Sequence, residues 1–304
     1  QGKGWVDTAL EAIALAVAAI PEGLPAVVTV TLSIGMQRMA RNRAVVKRLA
    51  AVETLGATTV ICSDKTGTLT MNQMTARAFI YRGQPYSVEG EGYQTTGRIL
   101  LNGDGTDGSG EGHPLPDLVP LLEPLVLCND SHLNGGQIIG DPMEAALVVL
   151  GEKAGLNQQT LEAELPRIAE VPFDSEYKFM GTFHQRNDEV LLFMKGAPET
   201  VLQRCGTRLT PNGLEPLDEA GREAIMEDNR GLAARQMRVL AVARRTLPAA
   251  NFEPEGDKWP HLQDLTLIGL VGLVDPARPE AARAVEQCRL AGIEVKMITG
   301  DQRD

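Results

Sequence analysis

Residues 57–70 read ATTVICSDKTGTLT. From Ala57 to Ser63 the run is short, β-branched and without charge, so neither face looks built for water. It predicts a buried parallel strand ending at Asp64. A second run, Ile293 to Ile298, stops in the same way at Thr299-Gly300-Asp301. Ahead of it, Ala281, Ala284, Val285 and Cys288 recur at helical spacing behind Pro279, and Gly292 is placed to end the helix. A helix feeding such a strand is a unit of an open α/β sheet. Those sheets gather their chemistry at the carboxyl ends of the strands, where Asp64 and Thr299 to Asp301 stand, so two distant segments are expected to converge on one site.

The stretch between the two runs reads differently. Strand-like runs such as Glu189 to Met194 and Arg238 to Ala243 alternate with amphipathic helices, and an acidic, Gly-rich loop from Asn102 to Gly112 lacks the ordered spacing of a calcium or phosphate loop. This is the pattern of an inserted domain without internal repeats.

Toward the N-terminus, Glu22 is the only charged residue from Ala12 to Ile34. At about 1.5 Å per residue this run reaches roughly 34 Å, enough to cross a hydrocarbon core. A buried soluble helix is the alternative. Arg38, Arg41, Arg43, Lys47 and Arg48 follow with no acid before Glu53, the juxtamembrane pattern of a cytoplasmic side, which would place the rest of the chain in the cytosol. Within the run, Pro21 and Pro25 flank Glu22 and Gly23, forbidding a continuous hydrogen-bond ladder. Carbonyls are then left beside one carboxylate, which suits a dehydrated cation and makes Glu22 the expected ion ligand.

Composition narrows the classes. Against 29 Lys and Arg stand 40 Asp and Glu, a net charge of −11, so there is no global attraction for nucleic acid. Trp, Tyr and Phe number 2, 4 and 6, too few for base-stacking platforms. Cys62, Cys128, Cys205 and Cys288 lie far apart, which suits a reducing compartment and argues against a disulfide framework or a zinc site. The chain opens at Gln1 with no basic, cleavable start and reads as a piece of something longer.

The string Cys62-Ser63-Asp64-Lys65-Thr66-Gly67-Thr68-Leu69-Thr70 resembles the phosphorylation signature of P-type ion-pumping ATPases. Physically, a carboxylate at a strand end can attack phosphorus, while Lys65, the hydroxyls of Thr66 and Thr68 and the backbone at Gly67 offer donors to a phosphoryl group. The resemblance implies that Asp64 becomes an aspartyl phosphate, with Mg²⁺ held by Asp64 and the main-chain carbonyl of Thr66. It also implies that Thr299, Gly300 and Asp301 form the loop that holds the transferred phosphate. Ile20-Pro21-Glu22-Gly23-Leu24-Pro25 resembles the broken fourth transmembrane helix of the calcium-pumping members. The family's pattern adds the carbonyls of Val17, Ala18 and Ile20 to Glu22 as ligands of the transported cation, Ca²⁺, with Mn²⁺ as the alternative, being favoured over protons or Na⁺ and K⁺.

Lys195-Gly196-Ala197-Pro198-Glu199, after a strand, is similar to the family's nucleotide-domain motif, with Lys195 and Gly196 in the ATP pocket. Phe173, Lys178 and Met180 match its adenine-pocket spacing, an aromatic face and a soft thioether for the base. Without the resemblance that trio would read as core. Arg238 and Glu144 match further positions near the nucleotide, although Met143 replaces a small polar residue. Asp275-Pro276-Ala277-Arg278 resembles the hinge by which the chain returns to the phosphorylation domain, Ala277 standing where a second proline is usual. Asp275 and Arg278 are expected to order that junction and neighbour the triphosphate.

The implied fold is α/β: a partial Rossmann-like, haloacid-dehalogenase-like phosphorylation domain with a large inserted α+β nucleotide-binding domain, plus one broken transmembrane helix. The expected divisions are 1–36 for the membrane helix, 37–73 and 274–304 for the two parts of the phosphorylation domain, and 74–273 for the nucleotide-binding domain. The implied function is an ATP-driven cation pump, with ATP and Mg²⁺ as cofactors, and with the transported cation, membrane lipid and the rest of the pump chain as partners. Two other readings stand. A soluble phosphohydrolase would share the nucleophilic aspartate but has no use for the apolar run or the Lys195 motif. The chain alone could also be a nucleotide-binding module without turnover, distinguished by ATP binding without phosphate release.

Overall fold

The computed structural model describes residues 4–19, 21, 23–90, 92–102, 116–134 and 137–298. Ile20, Glu22, Thr299, Gly300 and Asp301, and nearly all of the Gly-rich loop, lie outside the described residues. The helices described are α1 (Trp5–Ala18), α2 (Leu24–Arg41), α3 (Leu49–Gly56), α4 (Val119–Leu127), α5 (Pro142–Lys153), α6 (Gln158–Glu164), α7 (Pro198–Gln203), α8 (Glu219–Ala234) and α9 (Pro279–Leu290). The strands are β1 (Val60–Asp64), β2 (Thr75–Tyr81), β3 (Gln84–Val88), β4 (Ile99–Leu101), β5 (His132–Asn134), β6 (Gln137–Ile139), β7 (Arg167–Val171), β8 (Phe179–Arg186), β9 (Glu189–Gly196), β10 (Cys205–Thr210), β11 (Gly213–Pro216), β12 (Arg238–Pro248), β13 (Leu265–Val274) and β14 (Glu294–Ile298). The described residues build two compact units, residues 4–63 with 283–298, and residues 64–282.

In the first unit the apolar run is divided between α1 and α2. Val17 would find its helical partner in the amide of residue 21, but Pro21 has no N–H, so the ladder ends there. Pro25 sits in the first turn of α2, where a missing N–H costs nothing, and Arg38 and Arg41 occupy its last turn, beside the negative end of the helix dipole. Among the described residues no helix is long and apolar enough to cross a membrane. The expected strand from Ala57 starts later, at Val60, because α3 and its closing turn take up the chain through Thr58. Nor is β1 buried: Val60 is 44% and Ile61 37% exposed, since β1 pairs with β14 in a sheet of two strands and its faces stay uncovered. The expected helix-strand unit is present. α9 ends at Gly292 (φ 74°), with Gly292 N–H donating to Arg289 O and Ile293 N–H to Cys288 O, a left-handed stop that turns the chain into β14.

The second unit is a ten-stranded, mostly antiparallel sheet in the order β4-β3-β2-β13-β12-β9-β8-β7, with β10 parallel to β13 and β11 against β10. Alternation along β9 assigns its two faces. Val190, Leu192 and Met194 join the core under α7 and α8, with Val201, Leu202, Ile225 and Leu232. Leu191 and Phe193 join the core under α4 and α6, with Val126, Leu127 and Leu161. Each such side chain contributes about 1.5–3 kcal/mol of burial, so both faces are committed and the register of β9 is fixed. Lys195 continues the row of Leu191 and Phe193 and therefore points to the α4–α6 side.

Candidate functional site

Asp64 is exposed and closes β1 in extended backbone (φ −64°, ψ 143°). The next residues make one wide turn, closed by Thr70 N–H to Lys65 O at 3.0 Å. Thr66 (φ −77°, ψ 123°) and Gly67 (φ 75°) break any helical run inside it. Only glycine takes the second of these conformations without strain, so Gly67 sets the shape of the loop. Lys65 is half-buried and Thr66 and Thr68 are exposed.

A strap formed by Asp275 to Arg278 holds this loop. Thr70 Oγ1 donates to Asp275 Oδ2 at 2.5 Å and accepts the Gly67 N–H at 3.1 Å, and Gln73 N–H donates to Asp275 Oδ1 at 3.2 Å. Arg278 N–H donates to Leu69 O at 2.8 Å, Met71 N–H to Pro276 O at 3.0 Å, and the Arg278 guanidinium to Gly67 O at 3.0 Å. Thr70, only 6% exposed, pairs with Ala277 as an isolated antiparallel bridge. Asp275 and Arg278, expected beside a triphosphate, spend their side chains on the loop itself. Thr70 lies within the quoted string, yet nothing local in the sequence marks its partner, 205 residues away.

The second cluster lies at one end of β8 and β9. Lys195 Nζ donates to Glu144 Oε1 at 2.7 Å, with only 7% and 17% of the two side chains exposed. The N-cap Asp141 seats Glu144 in the first turn of α5 by accepting from Met143 N–H and Glu144 N–H. Glu144 Oε2 accepts the Asp130 N–H at 3.0 Å. Met143 packs against the core beneath α5, which accounts for an apolar residue there. Gly196 opposes Phe179 across the ladder, and a Cβ on it would meet Lys178 O at 2.5 Å. Lys178 O also accepts the Ala197 N–H at 2.9 Å. Lys178 holds a left-handed backbone (φ 55°) at the end of the loop that carries Phe173, which is 60% exposed.

Met180 does not line an open wall. It is 1% exposed, opposite Lys195 in register, and packs with Leu127, Cys128 and Phe193, while Cys128 Sγ donates to its carbonyl at 3.5 Å. Burial pushes the Cys128 thiol above its ordinary pKa. Arg238 is exposed at the start of β12. Val242 of β12 faces Lys195, so Arg238 shares its face of the sheet but lies four residues away, about 13 Å at strand spacing. Val17 and Ala18 fall in the last turn of α1. Among the described residues no group of three or more His, Cys, Asp or Glu could hold a metal ion.

Residues 117–280 match the family model described as P-type ATPase, cytoplasmic domain N. The chain is 45% identical over 95% of its length to the cation-transporting ATPase pma1 of a Synechocystis species, covering 32% of that protein. It is 40% identical over its whole length to calcium-transporting ATPase 1 of Bacillus cereus, covering 32%. It is 38% identical over its whole length to calcium-transporting ATPase type 2C member 1 of Homo sapiens, covering 31%. The chain thus spans about a third of the length of these curated relatives.

Proposed function

The chain belongs to the P-type ATPase family, and from that premise we propose that it is the part of an ATP-driven cation pump that binds nucleotide and takes the phosphoryl group on Asp64. The observation that carries this reading is the strap of Asp275 to Arg278, which fixes the loop behind an exposed carboxylate at a strand end. A carboxylate oxygen of Asp64 attacks the γ-phosphorus of ATP in line. The new O–P bond forms as the bond to the β,γ-bridging oxygen breaks, and ADP leaves with the electron pair. Lys65 and the hydroxyls of Thr66 and Thr68 supply donors as charge builds on the phosphoryl oxygens. Thr299, Gly300 and Asp301 hold the transferred group at the end of a Rossmann-like, haloacid-dehalogenase-like sheet.

The Asp64 carboxylate and the Thr66 carbonyl, which the extended backbone frees from any helical ladder, are hard oxygen donors of the kind Mg²⁺ takes while keeping most of its waters. Bound there, Mg²⁺ would neutralise phosphate charge. On the nucleotide side Lys195 meets phosphate charge, Phe173 stacks on the base, and Glu144, Lys178 and Arg238 supply polar contacts. Met180 and Gly196 support that pocket from within the sheet. The pump's membrane part includes the break between α1 and α2. There Glu22 and the carbonyls of Val17, Ala18 and Ile20 bind the transported cation, and the nucleotide unit faces the cytoplasm. Ca²⁺ is the preferred ion, supported by the Ile20–Pro25 hexapeptide and by two relatives named as calcium-transporting.

In the full-length protein, Asp64→Asn should abolish the acid-stable phosphoenzyme formed from radiolabelled ATP and leave ATP binding in place. Label retained at normal levels overturns the reading. For the 304-residue chain alone the corresponding activity is nucleotide binding, because the residues assigned to the nucleotide fall in one compact unit.

A further inference from the structure

A cavity of about 460 Å³ opens on the side of the second unit's sheet that packs α8, the side away from Lys195. Its origin is a change of partner along one edge of β13. On that edge β10 pairs with Cys205↔Leu265 through Arg208↔Leu267, and β2 takes over at Tyr81↔Gly269. Between the departing strand and the arriving one the edge at Ile268 is left without a neighbour, and the turn of β2–β3, the hairpin β10–β11 and α8 wall the gap. Its volume lies within the range of pockets that take small molecules.

The walls carry charge of both signs that is only partly paired within the protein. Arg82, in the left-handed turn between β2 and β3 (φ 53°), and Arg208, on β10, both line the cavity. Their Nε atoms are buried and, among the described residues, have no hydrogen-bond partner. Arg208 reaches Glu215 only through Nη2, at 3.4 Å, and Glu215 is also taken by the Thr210 hydroxyl at 3.0 Å. Arg82 lies over the Tyr81 ring, 5.2 Å from its centre, and has no ion pair among the described residues. Across from them Asp228 of α8 also lacks a hydrogen bond or ion pair there, since its neighbour Glu227 is the one that pairs with Arg230. Ile225 and Leu270, 9% and 1% exposed, supply apolar wall. Two guanidinium groups, which together make one long ion pair, and a carboxylate that makes none among the described residues line the same cavity, an arrangement complementary to a ligand that brings both signs.

We propose that this cavity binds a small zwitterion of the amino-acid type with an apolar side chain, its carboxylate on Arg82 and Arg208 and its ammonium on Asp228. A dianion such as phosphate fits worse, because it would face Glu215 and Asp228 as well as the two arginines. A purely apolar ligand would leave all the polar groups unpaired. The site is independent of the nucleotide pocket and of the reading given to it.

The test follows the arginine Nε–H signals of the full 304-residue chain by NMR while L-leucine is added, with 4-methylpentanoate and inorganic phosphate as separate arms. Arg82→Asn, which a left-handed turn tolerates, and Asp228→Asn serve as variants. The expected result is a saturable shift of the Arg82 and Arg208 signals with L-leucine, binding about tenfold weaker for 4-methylpentanoate and for each variant, and no saturable shift with phosphate. The proposal is overturned by no saturable shift with L-leucine, by phosphate or 4-methylpentanoate binding as well as L-leucine, or by both variants binding like the parent. Thermal melting of each variant separates lost binding from lost fold; if Arg82→Asn melts early, Asp228→Asn decides.

Discussion

Asp275 accepts the hydroxyl of Thr70 at 2.5 Å across 205 residues of chain, and its other oxygen takes the amide of Gln73. One carboxylate thereby anchors both the end of the Asp64 loop and the start of the chain that leaves it. A hydrogen bond to a charged acceptor contributes about 1.5–3 kcal/mol. Thr70→Val and Asp275→Asn should each destabilise the second unit by about that amount. Because the two groups act on each other, the double variant should lose less than the sum. Urea unfolding of the four proteins measures the coupling; strictly additive losses would mean the contact carries no energy.

Lys195 and Glu144 form a nearly buried pair, so removing either leaves a charge without its partner. Lys195→Ala should cost about 3–5 kcal/mol of stability, more than an exposed pair would. It should also weaken ATP binding by up to about a hundredfold, whereas Phe173→Ala, on an exposed ring, should leave stability unchanged and weaken binding several-fold. Calorimetric titration with ATP and thermal melting, run on the same samples, separate the two effects.

His184 gives the stability a pH dependence of known sign. Its ring is 1% exposed, bonded to Leu165 O and Thr182 Oγ1, each at 2.9 Å, and burial lowers its pKa from 6.5 to about 4. Between these values the unfolded chain binds the proton and the folded one does not. The contribution is therefore complete above pH 6.5 and lost as pH falls toward 4, amounting to about 3 kcal/mol over the window. Unfolding free energies measured from pH 7 to 4 should fall less steeply in His184→Gln than in the parent; parallel curves would remove His184 as the cause.

A methyl group at Gly196 would press on Lys178 O at 2.5 Å and on Phe179 Cβ at 2.6 Å. Gly196→Ala should therefore force β8 and β9 apart and cost about 1–3 kcal/mol, with weaker ATP binding because Lys178 and Lys195 shift with the strands. Gly213→Ala has open space at its Cβ but a left-handed φ of 112°, so it makes a control for backbone strain alone. Equal melting losses in the two variants would argue against a packing role for Gly196.

The parts of this molecule that the sequence made legible are those with a local cause. The helix from Pro279, its stop at Gly292 and the strand behind it follow from spacing and from one glycine. Lys195 stands out in its motif, and its direction follows from the alternation of Leu191 and Phe193. What stayed hidden depends on distant neighbours. The Ala57–Ser63 run carries the side chains of a covered strand, yet β1 has one paired neighbour and uncovered faces, and no residue in the run records that. Met180 fits a pocket by spacing and a core by packing, and the difference was made by Leu127 and Cys128, more than fifty residues earlier. The pairing of Thr70 with Asp275 has no periodic trace at all.

The antiparallel pairing of β2 with β13 joins Thr75 to Val274 across a single ladder rung. The two ends of the stretch between them therefore lie about 5 Å apart, the spacing of neighbouring strands, although about two hundred residues of chain separate them. Such a stretch can be grafted into a host chain as if it were one long hairpin, since the host needs to open a gap no wider than a strand pair. The same closeness makes it a candidate for circular permutation. A short linker could join Val274 back to Thr75, and new termini could be cut at the exposed turn of Asn212 between β10 and β11, keeping every rung of the sheet from β4 to β7.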